Sequence, residues 1–427
     1  MSKGQRPETY WVETLGCPKN QVDSDKLTGT LQFDGMVAAA GPTDADLIVV
    51  NTCAFIEEAR AESIDVTLGL AEARRDGARL VVTGCMAERY GTELAEALPE
   101  VDLVAGFGQP LNVAPPRRRI PLQAAEADVP AFDLLNLPRP PSGRPWAYLK
   151  VAEGCDRACG YCAIPSFRGP QRSRSTESIL AEADALDVSE LVLIAQDLAA
   201  FGRDQGQGER SIVPLVRALS ERVEWVRLLY LYPSDLTDGL IEVICETGVA
   251  YFDLSLQHVS APLLRRMRRW GDGDRFLERI GDIRAREPAA AFRSNVIVGY
   301  PGETETDHDQ LLSFVEEAQL DWCGFFAFSP EEGTYAVSLD NQVDPALAGE
   351  RLAELRELQD GITAARRDAL IGETVRVLVD DVGVARSHRE APEIDGVIEV
   401  PDSLTVGEFH EVVVKDAAGP DLVAVPA

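Results

Sequence analysis

The sequence predicts an α/β protein in three parts: an N-terminal parallel α/β domain, a central partial (β/α)6 barrel of the TIM type, and a small C-terminal β-barrel. Three observations carry that prediction. From residue 10 onward, short apolar runs alternate with helical patterns, which is the rhythm of a parallel sheet. A proline-rich stretch divides this rhythm into two series. From residue 372 the pattern changes to apolar and polar residues in alternation, with Gly and Pro between the runs.

The first series spans residues 1–112. "YWVETLG", "DLIVVNTC", "RLVVTGC" and "DLVAG" read as buried strands, with helices near 22–33, 55–75 and 87–98. Cys17 and Cys85 fall at the carboxyl ends of strands and Cys53 just past one. Open α/β sheets collect ligands at that edge, so three cysteines separated by 36 and 32 residues can converge in space. Residues 113–145 hold Pro115, Pro116, Pro121, Pro130, Pro138, Pro140, Pro141 and Pro145, the composition of a stiff interdomain linker.

The second series, 146–345, has six strand-like runs: "WAYLKVAEG", "ELVLIAQD", "VRLLYLYP", "YFDLSLQ", "FRSNVIVGYP" and "CGFFAFSP". Helical patterns at 175–187, 236–247 and 304–319 separate them, and six βα units make a barrel smaller than the eight-fold one. A connecting helix over 346–371 leads to the tail, 372–427, where "TVRVLVDD" and "HEVVVKD" predict an OB-like β-barrel.

The chain carries 41 Lys and Arg against 71 Asp and Glu, a net charge of −30. Proteins that track phosphates need clustered cations, so broad nucleic-acid affinity is disfavoured. Solubility and recognition of a basic protein partner both remain open. The start lacks the apolar core of a secretory signal, and no run of 18 apolar residues reads as a membrane span. The expected compartment is the cytoplasm. Eight cysteines there point to metal or redox chemistry rather than disulfides.

"EGCDRACGYC" places Cys155, Cys159 and Cys162 directly after the first strand of the barrel series. Thiolates suit iron–sulfur clusters or zinc, but zinc wants a fourth ligand and the next histidine is His258. Three thiolates on a 4Fe–4S cube leave one iron open. C-x3-C-aromatic-C, with Tyr161 before Cys162, resembles the motif of radical SAM enzymes. That likeness implies S-adenosylmethionine as cofactor, bound at the open iron and cleaved to a 5′-deoxyadenosyl radical, with the protein supplying binding and orientation.

The likeness extends over nearly the whole chain. "LGCPKN..DSDK", "NTCAFIEEA" and "GCMAERY" are similar to the N-terminal domain of methylthiotransferases, and the tail resembles a TRAM domain. The resemblance implies a second 4Fe–4S cluster on Cys17, Cys53 and Cys85. One S-adenosylmethionine methylates sulfur held there and a second supplies the radical, so both clusters have to reach one substrate carbon. "IPSFRGPQRSR" and "SHREAPEIDGVIEV" resemble the branch that modifies the β-carbon of an aspartate in small-subunit ribosomal protein S twelve, free or within the ribosomal subunit. A low-potential electron donor and a sulfur donor are the other implied partners, and no membrane is. Residues 370–427 hold twelve acids and four Lys or Arg, which suits a cationic protein better than RNA.

Gln196 and Asp197 end the second barrel strand, Gln257 the fourth and Gly299 the fifth. By position they are candidates to contact S-adenosylmethionine. His258 reads equally as a packing residue or a proton carrier. Arg168, Arg172 and Arg174 are either a solvated loop or a grip on the substrate carboxylate or cofactor. Cys245 and Cys323 read as core thiols. Two competing functions remain: a tRNA adenosine methylthiotransferase, and a non-catalytic iron–sulfur or zinc scaffold that binds ribosomes.

Overall fold

A computed structural model describes residues 8–109, 111, 133–206 and 212–427. Residues 113–132 of the expected linker, with Pro115, Pro116, Pro121 and Pro130, lie outside the described residues. The chain forms two compact units. The first takes residues up to Pro141 together with Glu153–Cys155 and Ala163–Pro170; the second takes the remainder.

In the first unit, β1 (Thr9–Thr14), β2 (Val37–Ala38), β3 (Leu47–Thr52), β4 (Arg79–Gly84) and β5 (Leu103–Val104) make one parallel sheet in the order β2-β1-β3-β4-β5. Side chains alternate across it. Ile48, Val50, Leu80 and Val82 join one core, and Leu47, Val49 and Val81 join the other. Helix α1 (Pro18–Phe33) brings Leu27 and Leu31 to the second face. Helices α2 (Glu57–Ala73) and α3 (Cys85–Ala97) cover the first, where Leu94 and Met86 pack. Full burial of each such side chain is worth roughly 1.5–3 kcal/mol. The strand order reverses direction between β1 and β3, and the carboxyl ends at such a switch point are where open sheets bind ligands.

Helix α1 begins at Pro18, earlier than expected, because Cys17 is extended at the N-cap and proline at the first helical position costs no hydrogen bond. The apolar pattern starts only at Val22. Its first two turns bury polar residues instead: Asn20 and Asp23 at 0% exposure and Ser24 at 3%.

The second unit contains six parallel strands: β6 (Trp146–Lys150), β7 (Glu190–Ile194), β8 (Trp225–Leu228), β9 (Tyr251–Gln257), β10 (Ala291–Val298) and β11 (Trp322–Ala327). They pair in chain order as two three-stranded ladders, joined by a single bridge from Leu231 to Leu254. The outer layer comprises α4 (Thr176–Leu186), α5 (Ile212–Ser220), α6 (Asp238–Glu246), α7 (Ala261–Arg266), α8 (Gly273–Arg286), α9 (Glu305–Ala318) and α10 (Pro345–Asp368). Helix α10 starts where Asp344 accepts the Ala346 N–H at 2.8 Å, again with proline in the first turn.

Strands β12 (Thr374–Asp381), β13 (Val384–Arg386), β14 (Ile398–Glu399), β15 (Phe409–Ala418) and β16 (Asp421–Pro426) close a small barrel around Val377, Val379, Ile398, Val412, Val414 and Leu422. The segment between β13 and β14 seals the amino-terminal face of the larger barrel. Tyr148 donates to Pro392 O at 3.0 Å, Trp322 Nε1 to Arg389 O at 2.7 Å and Arg227 to His388 O at 2.9 Å. Arg367 pairs with Glu390 and Arg293 with Asp395. Behind them Glu190, fully buried, accepts from Arg227 at 2.7 Å and Arg386 at 2.8 Å. Burial opposes ionisation of Glu190, but the two guanidiniums overcome it and hold its pKa below the ordinary carboxylate value of 4.5.

Removing one member of a buried ion set costs about 3–5 kcal/mol because it strands the others. Glu190→Gln is therefore expected to destabilise the full chain by that amount in guanidinium chloride unfolding. The sign with pH follows from the depressed folded pKa. The Glu190 contribution is present above the unfolded value and is lost as pH falls below about 4.5, so Glu190→Gln should flatten acid unfolding in that window.

Candidate active site

In the first unit the cysteines meet at the switch edge of the sheet. Gly16 has φ +94°, and a Cβ there would lie 2.7 Å from Cys53 Cβ, so glycine lets the turn before Cys17 close on Cys53. Cys85 opens α3 directly after β4. Asn20 braces the loops, donating to Leu15 O at 2.8 Å and Thr52 O at 3.0 Å. Asn51 returns the brace to Asn20 O at 2.8 Å and Ser24 Oγ at 3.0 Å. The Cys53 N–H is taken by Ser63 Oγ at 3.1 Å.

Arg168 completes this site. One terminal nitrogen lies 3.0 Å from Cys85 Sγ and 2.8 Å from Asn20 Oδ1. The other donates to Asp23 and Glu153, both at 2.9 Å. The guanidinium stacks 3.9 Å from the centre of the Phe107 ring. Burial pushes the Cys53 thiol up to about 12, and Cys85 and Cys17 add to the rise, so the three sulfurs share one field. Burial also raises Cys85, and Arg168 opposes it. Among the described residues no three His, Cys, Asp or Glu side chains lie close enough to chelate a single metal ion. Splayed thiols beside a buried cation fit a polynuclear iron–sulfur group.

In the second unit the loop after β6 is pinned on both sides of Gly160. Its N–H donates to Met267 O and its carbonyl accepts from Ala336 N, each at 2.8 Å. Arg269 reaches Cys159 Sγ at 3.5 Å and donates to Ser255 O. Arg157 donates to Asp197 at 2.6 Å and pairs with Asp235. The Tyr232 ring lies between these two guanidiniums, 3.8 Å from Arg157 and 3.9 Å from Arg269. Cys155 belongs to the first unit, where its N–H donates to Gly169 O at 3.1 Å. Cys162 donates its N–H to Cys159 O at 3.2 Å. All eight cysteines are free thiols.

The strand-end candidates fall at the carboxyl ends of the barrel strands. Gln196 and Gln257 are half-buried, and Gln257 has φ +72°. Asp197 is buried, with Oδ2 on Arg157 and Oδ1 lacking a hydrogen-bond partner. Gly299 gives its N–H to Glu303 at 2.5 Å and faces Ala348, leaving no room for a Cβ. His258 is fully buried, its Nδ1 accepting the Ser260 N–H at 3.1 Å. Burial lowers its pKa to about 4, so it is neutral and packs. Cys245 and Cys323 are half-buried against the barrel core.

The solvated-loop reading is corrected for two of the three arginines. Arg168 and Arg174 are buried, whereas Arg172 is half-buried. Arg174 pairs with Glu182 at 2.7 Å and donates to Lys150 O at 3.0 Å. Asn20, Asp23, Arg157, Asp235 and Arg269 were absent from the sequence reading. A signal existed for the first two, since Asn20, Asp23 and Ser24 stand at helical spacing on the face that carries Leu27 and Leu31 into the core.

Residues 9–106 match the uncharacterized protein family UPF0004, 149–315 the radical SAM superfamily and 371–426 the TRAM domain. The ribosomal protein uS12 methylthiotransferase RimO of Moorella thermoacetica is 45% identical over 399 residues, covering 91% of this chain and 92% of that protein. The RimO of Cutibacterium acnes is 39% identical with full coverage of both chains. The chain belongs to the RimO family of methylthiotransferases.

RimO membership makes it an enzyme of the radical SAM type, with S-adenosylmethionine and a 4Fe–4S cluster as cofactors. Among solved structures, the radical S-adenosylmethionine methyltransferase TsrM of Kitasatospora setae, which holds cobalamin and a 4Fe–4S cluster, aligns with a TM-score of 0.47 at 13% identity, over 76% of this chain and 77% of that one. No helix among the described residues of this RimO-family chain is long and apolar enough to cross a membrane.

Two outcomes follow from the barrel site. Arg157→Ala strands the buried Asp197, while Asp235 keeps Arg203 at 3.0 Å, and is expected to cost about 3 kcal/mol in chemical unfolding of the iron-free chain. For His258, burial depresses the folded pKa below the unfolded value of 6.5. Protonation then favours the unfolded chain, so stability falls as pH drops from 6.5 toward about 4. His258→Gln should remove that slope in unfolding titrations at stepped pH.

Proposed function

We propose that this chain inserts a methylthio group at the β-carbon of an aspartate of small-subunit ribosomal protein uS12. The observation that carries the reading is the second trio of thiols, Cys17, Cys53 and Cys85, gathered at the switch edge of a sheet ahead of a radical SAM barrel. The names of its full-length relatives support the substrate, and they do not favour the tRNA alternative.

In this reading Cys155, Cys159 and Cys162 hold one 4Fe–4S cluster, and Cys17, Cys53 and Cys85 hold a second. When bound, the two clusters and S-adenosylmethionine supply the radical that removes the substrate hydrogen and the methylated sulfur that replaces it. The chain's own residues bind and orient. Met267 and Ala336 fix the Gly160 backbone, so the cysteine loop is presented in one conformation. Gln196, Asp197, Gln257 and Gly299 line the S-adenosylmethionine pocket, with Asp197 Oδ1 accepting a hydrogen bond from the ligand. Arg157 holds the other carboxylate oxygen of Asp197 and so fixes the orientation of the group. Sulfur and low-potential electrons come from separate donors, and the reaction takes place in the cytoplasm.

Anaerobic reconstitution is expected to load about eight irons per chain, as two cubes of four. Reduction with S-adenosylmethionine should then yield 5′-deoxyadenosine. Changing Cys155, Cys159 and Cys162 together to Ala should abolish that product while about four irons remain. Mass spectrometry of uS12 from cells with and without the gene should show a methylthio increment only with it. An unmodified uS12 beside an altered tRNA digest would transfer the assignment to RNA, and one zinc with no nucleoside product would refute the enzyme.

A further inference from the structure

The reaction as described leaves Arg168 without a task. Its charge is nevertheless the nearest described cation to the Cys85 sulfur, at 3.0 Å, and its side chain is only 3% exposed. We propose that Arg168 is a positioning residue of the Cys17, Cys53 and Cys85 site, whose hydrogen bond to Cys85 Sγ sets the reduction potential of the cluster held there. This rests on the assignment of those cysteines to a second cluster.

The geometry suits a fixed donor. Asp23 and Glu153 hold one arm of the guanidinium, so the other arm is aimed at Cys85 and Asn20. A planar fork with five donors can make these four contacts at once, and a lysine ammonium cannot. Phe107 covers one face and keeps water from it. In such a dry site a charge-assisted hydrogen bond is stronger than in water. Hydrogen bonds to ligating sulfur withdraw charge and make the reduced cluster easier to form, which raises its potential. The same two carboxylates also occupy the arginine, which removes it from contact with substrate.

The test uses the full chain with Cys155, Cys159 and Cys162 changed to Ala, so that any remaining iron sits on the other trio. Iron analysis of this parent after reconstitution checks the underlying assignment by itself. Iron near zero refutes the second cluster, whatever Arg168 does. Into that parent are placed Arg168→Lys and, separately, Arg168→Gln with Asp23→Asn. The paired change keeps the buried charge balanced, so it avoids stranding Asp23 and isolates the hydrogen bond from net charge.

Redox titration followed by electron paramagnetic resonance reads the midpoint. Both variants are expected to keep the parent's iron content and to shift the midpoint negative, the glutamine pair further than the lysine. An unchanged or more positive midpoint in the glutamine pair, with iron retained, overturns the proposal. So does loss of iron from both variants while circular dichroism remains that of the parent, because Arg168 would then build the site rather than tune it.

Discussion

In each unit a guanidinium is set against a cysteine sulfur, and the rest of the site depends on holding that cation in place. An unpaired cation in a low-dielectric interior is costly. Arg168 meets Cys85 and Arg269 meets Cys159. Each guanidinium then needs holding in its turn. Arg168 calls for Asp23, Glu153 and Asn20; Arg269 is held by Ser255 O and the Tyr232 face. The chain of requirements explains why the first turns of α1 are buried yet polar. The helix surrenders apolar packing near Cys17 and recovers it farther along, where Leu27 and Leu31 enter the core.

This division also sets how much could be read from the sequence. The strands of both series were legible because each is a short apolar run bounded by turn residues. The gathering of Cys17, Cys53 and Cys85 was legible because parallel sheets bring carboxyl ends together. Arg168 was not legible as a partner of Cys85. The two lie 83 residues apart, and nothing in "SFRGPQRSR" distinguishes an arginine that turns inward from one that meets solvent. Asn20 and Asp23 could not be assigned a partner, since periodicity reports which residues share a face and not what that face meets. The edge strand Val37–Ala38 is too short to carry any period.

Charge was the property most easily misread. Twelve acids in residues 370–427 suggested an acidic face for a basic partner. Three of them are spent inside the molecule instead: Asp380 on Arg386, Glu390 on Arg367 and Asp395 on Arg293. Asp395 ties the segment between β13 and β14 to strand β10 and Glu390 ties it to α10, while Asp380 is used within the small barrel. The tail therefore offers less free negative charge than its composition implies, and part of its acidity is adhesive. The assignment of a protein substrate thus leans on the likeness to the RimO family more than on net charge.

The second unit separates rigidity from chemistry along the barrel axis. At the amino-terminal face the buried Glu190, Arg227 and Arg386 set and the segment above it meet regular strands. At the carboxyl face regularity ends. Tyr230 and Gln257 take positive φ, at +64° and +72°, which non-glycine residues adopt only at a cost of about 1–3 kcal/mol. The pairing of β9 with β10 shifts register between Leu254 and Gln257. Both departures sit at the joint of the two ladders, where Leu231 bridges Leu254. They turn the chain out of its strands just beyond Leu228 and at Gln257, and the first of these stretches carries Tyr232, whose ring meets Arg157 and Arg269. Strain of this size can persist because the opposite end is over-determined.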